Sequence, residues 1–425
     1  MLASRTILRA AVSLCIGLAV TGCASGPPPE GGASGAGSAG ITDDTTSGRV
    51  TAIESPAAPG SGEPGLAVGL DGRLYLSWIE PGVDAAHALR FSVWEEDAWS
   101  SARTIAEGDD WFVNWADVPS MAALNDGTLA AHWLAKVGAS SYAYGIRVAV
   151  SRDGGRNWSR STAPHRDGTA TEHGFVSLVP SASARFDLVW LDGRAMQSDP
   201  AGAMMLRHTS VARDGSLEAE RLLDDRVCDC CPTDATRDGA GSLIVLYRDR
   251  TPDEIRDISL VRLEDSGEVA AVGVHADGWK IAGCPVNGPA VAADGRRVVA
   301  TWFTGVDAET GRVLLAVSDD GGRSFGDPIR IDLGAPLGRV DLVLTGDDSA
   351  RVAWLERLDE TAALLVRDVD AAGRLAQPIR VATTGVGRSS GFPRLAHHRG
   401  RTFVAWTEAE EPSRVLTARI HDVAR

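Results

Sequence analysis

Residues 64–78 read PGLAVGLDGRLYLSW and residues 119–133 read PSMAALNDGTLAAHW. Each stretch is a proline, a short apolar run, an Asp-Gly turn and a second apolar run closed by tryptophan. Asp-Gly between two such runs is a hairpin signal, because glycine takes the positive φ that a tight turn requires. The second run recurs as RLYLSW (Trp78), TLAAHW (Trp133), RFDLVW (Trp190), SLIVLY (Tyr247), RVVATW (Trp302), ARVAW (Trp354) and TFVAW (Trp406). Successive aromatics stand 52 to 57 residues apart, and a proline precedes five of them by 13 to 15 residues: Pro64, Pro119, Pro232, Pro289 and Pro393.

Working outward, each aromatic is followed by a polar loop, a third apolar run such as GIRVAV or RVLLAV, a turn and a fourth run. Four short strands in a unit of roughly 50 residues mark a propeller blade, whose two faces are buried by its neighbours. The expected fold is therefore all-β, a seven-bladed β-propeller of four-stranded antiparallel blades. A six-bladed ring with one irregular unit is the alternative. The last unit ends on a third run, RVLTARI, so its fourth strand is expected from the N-terminal segment GRVTAIE (48–54). Closure of this kind removes sheet edges. No helical periodicity is seen beyond the first 23 residues.

Those first residues, MLASRTILRAAVSLCIGLAVTGC, carry Arg5 and Arg9 ahead of an apolar run too short to span a bilayer. Val20-Thr21-Gly22-Cys23 resembles a bacterial lipobox. The expected organisation is a lipoprotein signal peptide over 1–22, a lipid-anchored flexible linker over 23–47, and the propeller over 48–425. Membrane contact is expected through the Cys23 lipid only. That places the chain in the cell envelope, at an outer membrane facing periplasm or surface. With 57 acidic and 42 basic residues the formal charge is −15, which argues against nucleic acid, a polyanion that needs a positive field. Lys136 and Lys280 are the only lysines, so a lone arginine carries little information.

Two turns between third and fourth runs share a pattern: Ser151-Arg-Asp153-Gly-Gly155-Arg-Asn-Trp158 and Ser318-Asp-Asp320-Gly-Gly322-Arg-Ser-Phe325. Both fit S-x-D-x-G-x-x-aromatic, so the chain resembles the Asp-box (BNR repeat) propellers of the sialidase superfamily. The resemblance implies a hydrolase of exo-α-sialidase type, with an arginine triad for the substrate carboxylate, a tyrosine nucleophile paired with glutamate, and an aspartate acid/base. Of the four tyrosines, Tyr75 and Tyr247 read as core, while Tyr142 and Tyr144 fall in a loop.

In a propeller the loops that lead into the inner strands gather around the axis on one face. Here they are rich in chemistry. The densest charged cluster offers Arg248, Arg250 and Arg256 as a carboxylate clamp, with Asp249 or Asp117 as proton donor; a self-neutralising loop network is the competing reading. Trp111, Trp115 and Trp279 supply stacking surfaces, and Glu172, Arg194, Asn287, Arg339, Asp341, Arg357 and Arg388 supply polar contacts for a glycan or small anionic ligand. A non-catalytic scaffold using the same face on a protein partner is the alternative function. Cys228, Cys230, Cys231 and Cys284 lie in consecutive lead-in loops. In an oxidising compartment they read first as two disulfides, and second as a copper(I) or zinc thiolate site. No cofactor and no assigned metal ligand enter the primary reading.

Overall fold

The computed structural model describes residues 49–421 apart from 200, 201, 265, 266, 268, 308, 309 and 347. The signal-like segment, Cys23 and the linker lie outside the described residues. Among those described, no helix is long and apolar enough to cross a membrane.

Seven antiparallel sheets follow one another along the chain. Strand β1 (Val50–Ile53) belongs to the last of them. The first blade comprises β2 (Gly62–Val68), β3 (Leu74–Glu80), β4 (His87–Glu95), the short β5 (Ala98–Trp99) and β6 (Arg103–Gly108). The second has β7 (Ser120–Ala123), β8 (Leu129–Lys136) and β9 (Tyr144–Ser151). The third has β10 (His173–Ser181), β11 (Arg185–Asp192), β12 (Met204–Ala212) and β13 (Arg221–Val227), and the fourth β14 (Asp234–Arg237), β15 (Leu243–Arg248), β16 (Ile258–Leu263) and β17 (Val269–His275). The fifth runs β18 (Ala290–Asp294), β19 (Arg297–Asp307), β20 (Thr310–Ser318) and β21 (Ile329–Arg330). The sixth runs β22 (Pro336–Gly346), β23 (Ser349–Leu358), β24 (Thr361–Val369) and β25 (Ile379–Gly385). The seventh holds β26 (Arg394–His398), β27 (Arg401–Glu408) and β28 (Arg414–Ile420), completed by β1, which pairs Val50 with Ile420 and Ile53 with Thr417. Inner strands β2 and β26 pack together, so the ring is closed.

Two local features depart from the expected regularity. The fourth strand of the second blade is reduced to one bridge, Val148–Thr162. Pro164 follows at once and has no N–H to extend a ladder. A five-residue helix, α1 (Arg194–Ser198), interrupts the loop after β11.

The recurring aromatics fill the blades: Trp78, Trp190, Tyr247, Trp302 and Trp354 are at most 1% exposed. A buried indole N–H needs an acceptor, and in three blades the chain supplies one two residues along the same strand. Trp78 donates to Glu80, Trp190 to Asp192 and Trp354 to Glu356, at 2.6–2.8 Å. Two of these carboxylates then take amides of the lead-in loops, Ala58 N–H to Glu80 and Ala335 N–H to Glu356. One repeated carboxylate thus joins core to loop.

The two Asp-Gly-Gly turns are built alike. Gly155 N–H donates to Ser151 Oγ (2.8 Å), and Arg156 and Asn157 N–H donate to Asp153 Oδ1. Gly322, Arg323 and Ser324 do the same toward Ser318 and Asp320. Gly155 and Gly322 have φ of 82° and 80°. A Cβ at Gly155 would lie 2.3 Å from Phe91 of the preceding blade, so glycine is required for both conformation and close approach.

Candidate functional site

The axial channel is a cavity of about 240 Å³ lined from all seven inner strands, with Asp234, Asp341 and Arg394 on its wall. Three aspartates tie alternate blade junctions together. Asp117 accepts Phe175 N–H (2.6 Å), Asp234 accepts Val291 N–H (2.7 Å) and Asp341 accepts Leu395 N–H (2.6 Å). Burial pushes Asp117 up to about 8 and Asp234 up to about 7, and raises Asp341 as well. Without such amide donors, carboxyls at these positions would be costly to bury.

Above the channel the lead-in loops converge on Trp115. Its indole stacks on Phe392 of the seventh blade's loop, centroids 5.8 Å apart. The guanidinium of Arg339 lies 4.8 Å from the Trp115 ring centre and that of Arg388 lies 6.0 Å away. Arg339 sits at φ 56°, in a bulge of β22, where an arginine is held against its backbone preference. Its main-chain N–H is taken by Asn287 Oδ1 (2.8 Å), and its side chain donates to the carbonyls of Gly387 and Gly391. Among the described residues no carboxylate lies within ion-pair distance of Arg339 or Arg388. Burial, with Arg388 alongside, lowers Arg339 to about 10.

Beside this platform is an acidic pocket. Tyr144, expected in a loop, instead begins β9 and is buried. Its hydroxyl lies 2.6 Å from Glu172 Oε1 and 3.1 Å from Asp117 Oδ2. Phe112 covers the phenol ring, stacked at 3.8 Å. Burial raises Glu172 to about 7, with Asp229 adding to the effect. A hydroxyl has one proton to donate. The phenol proton is therefore shared between the two carboxyls, toward Glu172 in the shorter contact and toward Asp117 in the longer. The same carboxyls and burial hold the Tyr144 phenol well above its ordinary value.

The arginine cluster beyond it is tied down. Arg248 is buried and donates to the carbonyls of Arg256, Asn287 and Phe303, with Trp279 under its guanidinium at 4.8 Å. Arg250 pairs with Asp229 and Glu254, and Arg256 pairs with Glu254. These two arginines hold Glu254 down to about 2. Asp249 takes Arg250 N–H and Ser259 Oγ–H, and burial raises it. The remaining sequence candidates are dispersed. Trp111 is buried against Trp133 and His87, Arg194 is engaged by Asp192 and Glu220, and Arg357 is exposed at the end of β23. The four cysteines are free thiols in the structure. Cys228, Cys230 and Cys231 bring their sulfurs within 4.8 Å of one another.

Residues that sequence reasoning did not single out for the site are Tyr144, Phe112, Phe392 and Asp229. The available signal was weak: Phe112 directly follows Trp111 in a lead-in loop, and Tyr144 stands one residue ahead of an apolar run. Neither position reveals Glu172, 28 residues away.

This is a seven-bladed propeller of sialidase-like fold, with an aromatic and arginine-lined loop face over its axis. Among solved structures it is similar to a protein of unknown function from Dyadobacter fermentans (14% identity, 88% of this chain and 98% of that chain, TM-score 0.50). It is similar to the intramolecular trans-sialidase of Ruminococcus gnavus (12%, 73% and 97%, TM-score 0.50). A polysaccharide lyase of family PL25, an ulvan lyase, also matches (10%, 86% and 95%, TM-score 0.52). No protein-family model matches the chain, and no curated protein matches it in sequence. At these identities the likeness is one of fold.

Proposed function

We propose that the lead-in face binds an anionic glycan, with Trp115 as stacking platform and Arg339 and Arg388 receiving the acidic group. The carrying observation is two arginines over one indole with no carboxylate to answer them among the described residues. A sugar face stacks on an aromatic ring, and a guanidinium takes a carboxylate or sulfate in two parallel hydrogen bonds. The test is calorimetric titration with acidic oligosaccharides (sialylated, uronate-containing, sulfated) beside neutral ones. Acidic glycans are expected to bind, and Arg388→Ala to weaken them by about 10-fold or more, since hydrogen bonds to charged groups contribute about 1.5–3 kcal/mol. Equal affinity for neutral and acidic glycans would overturn the reading.

A second reading, hydrolysis of a terminal acidic sugar, is favoured by the Tyr144–Glu172 contact. It sets a phenol nucleophile against a carboxylate, with Asp117 retaining a proton near neutral pH. Because Arg248, Arg250 and Arg256 are already engaged, the carboxylate clamp in this reading passes to Arg339 and Arg388, and Phe112 must swing off the Tyr144 ring. Fluorophore release from a sialoside analogue tests it. Activity is expected to vanish in Tyr144→Phe, and undiminished release from that variant ends the reading. We also propose that Cys23 carries the lipid that holds the propeller at the envelope; fatty-acid labelling lost in Cys23→Ala is the expected result.

A further inference from the structure

The cysteines belong to neither reading above. The lead-in loop of the fourth blade, Cys228-Asp229-Cys230-Cys231-Pro232, is pinned at its start, where Cys228 N–H donates to Arg248 C=O at the end of β15 (2.9 Å). The next blade's loop is pressed against it. A Cβ at Gly288 would come within 2.0 Å of Pro232 O, so only glycine permits this approach. It brings Cys284 alongside, and the neighbouring Cys230 thiol lowers the Cys284 thiol below its ordinary value.

The resulting group of sulfurs runs from solvent inward. Cys284 is exposed and Cys230 half-buried, while Cys228 and Cys231 are each 1% exposed. Cys228 Sγ and Cys231 Sγ are 2.9 Å apart. Competing oxygen ligands are occupied, since both oxygens of Asp229 accept from Arg250 (3.0 and 3.1 Å). The wall behind the sulfurs is cationic. Arg256 Nη1 donates to Cys228 Sγ (3.4 Å). Arg248 is 1% exposed, and its hydrogen bonds all go to main-chain carbonyls. Among the described residues no carboxylate lies within ion-pair distance of it. A buried guanidinium without a counter-anion is costly.

We propose that Cys228, Cys230 and Cys231, with Cys284 at the mouth, form a binding site for a thiophilic d10 cation, copper(I) or zinc. Each bound thiol gives its proton to solvent. Copper(I) with three thiolates, or zinc with four, carries a net charge of −2 and supplies the counter-anion that buried Arg248 lacks, whereas Arg256 already pairs with Glu254 (2.8 Å). An all-sulfur ligand set selects such soft ions over magnesium or calcium, which take oxygen. Zinc bound through sulfur holds its ligands at about 2.3 Å, so Cys228, Cys230 and Cys231, already within 4.8 Å of one another, need only small shifts to hold it.

The experiment uses the reduced full-length protein under anaerobic conditions. It is titrated separately with copper(I) and with Zn2+ against a chromophoric chelator, and native mass spectrometry gives the stoichiometry. One equivalent of at least one of these ions is expected to be withdrawn from the chelator. Cys231→Ser and Cys230→Ser are expected to abolish that competition. Arg256→Gln, which leaves every sulfur in place, is expected to weaken binding by about 10-fold, the usual scale for a neighbour of the ligands. Circular dichroism and melting of each variant separate lost ligation from lost fold. Failure of the reduced protein to withdraw either ion overturns the proposal. So does binding that survives in a folded Cys231→Ser variant, or isolation of the protein with two disulfides that resist reduction under native conditions.

Discussion

The Asp-Gly-Gly turns and the lead-in loops place the same residue type in opposite electrostatic states. In the turns, Asp153 and Asp320 accept amides from residues three and four positions on, and those donors hold both carboxyls below the ordinary range. On the lead-in face, burial lifts Asp117 to about 8 and Glu172 to about 7. Donor supply and water decide the sign. A turn that wraps its own carboxylate stays wet and anionic. A junction between blades excludes water and keeps a proton. The turn therefore stabilises structure locally, whereas the junction stores protons beside an aromatic and arginine-lined surface, where acid–base chemistry becomes available.

The contrast is most sharply broken at Asp117. Asp117→Ala leaves Phe175 N–H without a partner in the dry junction and removes one of the two carboxyl contacts of Tyr144 Oη, and about 3 kcal/mol of stability is expected to be lost in urea denaturation. Equal stability would mean that the blade junction does not depend on this carboxyl. The second test is pH. Asp117, Glu172 and Asp234 have folded values raised above their ordinary 3.8, 4.5 and 3.8. Their stabilisation is thus complete below about pH 4 and is lost as pH rises through about 7 to 8, where the folded state must release protons the unfolded chain has already lost. The urea midpoint is expected to fall between pH 5 and pH 9, and less so in Asp117→Asn. A midpoint that rose over that range would overturn the raised values. The smallest effect is expected in the turn. Asp320→Ala should cost about 1 kcal/mol, because water replaces part of what the carboxylate supplied, and its deficit should shrink as pH falls below about 4. A deficit as large as that of Asp117→Ala would erase the distinction between the two regions.

The same contrast explains what could be read in advance. Ser151, Asp153 and Gly155 act on one another within five residues, so the turn and its blade were legible as a motif. The aromatics from Trp78 to Trp406 were legible as well, because each fills an equivalent position once per blade. Reach defeated the reading of the site. Glu172 meets Tyr144 across 28 residues, and Asp117 meets the amide of Phe175 across 58. Arg248, Arg250 and Arg256 read either as a free clamp or as a self-neutralising loop network, and the network is what the structure shows; their neighbours in sequence do not reveal the carbonyls of Asn287 and Phe303 or the carboxylate of Asp229.

By itself the sequence determined a closed propeller ring, with seven blades ahead of six and an N-terminal strand to complete the last blade; the structure decided the count at seven. A period-two apolar pattern with one aromatic per unit admits one way of burying both faces of every sheet. The tertiary structure decided which arginines remain without a carboxylate, which carboxyls keep their protons, and which cysteines meet. Those outcomes depend on burial and on partners from neighbouring blades, and neither is encoded in local order along the chain.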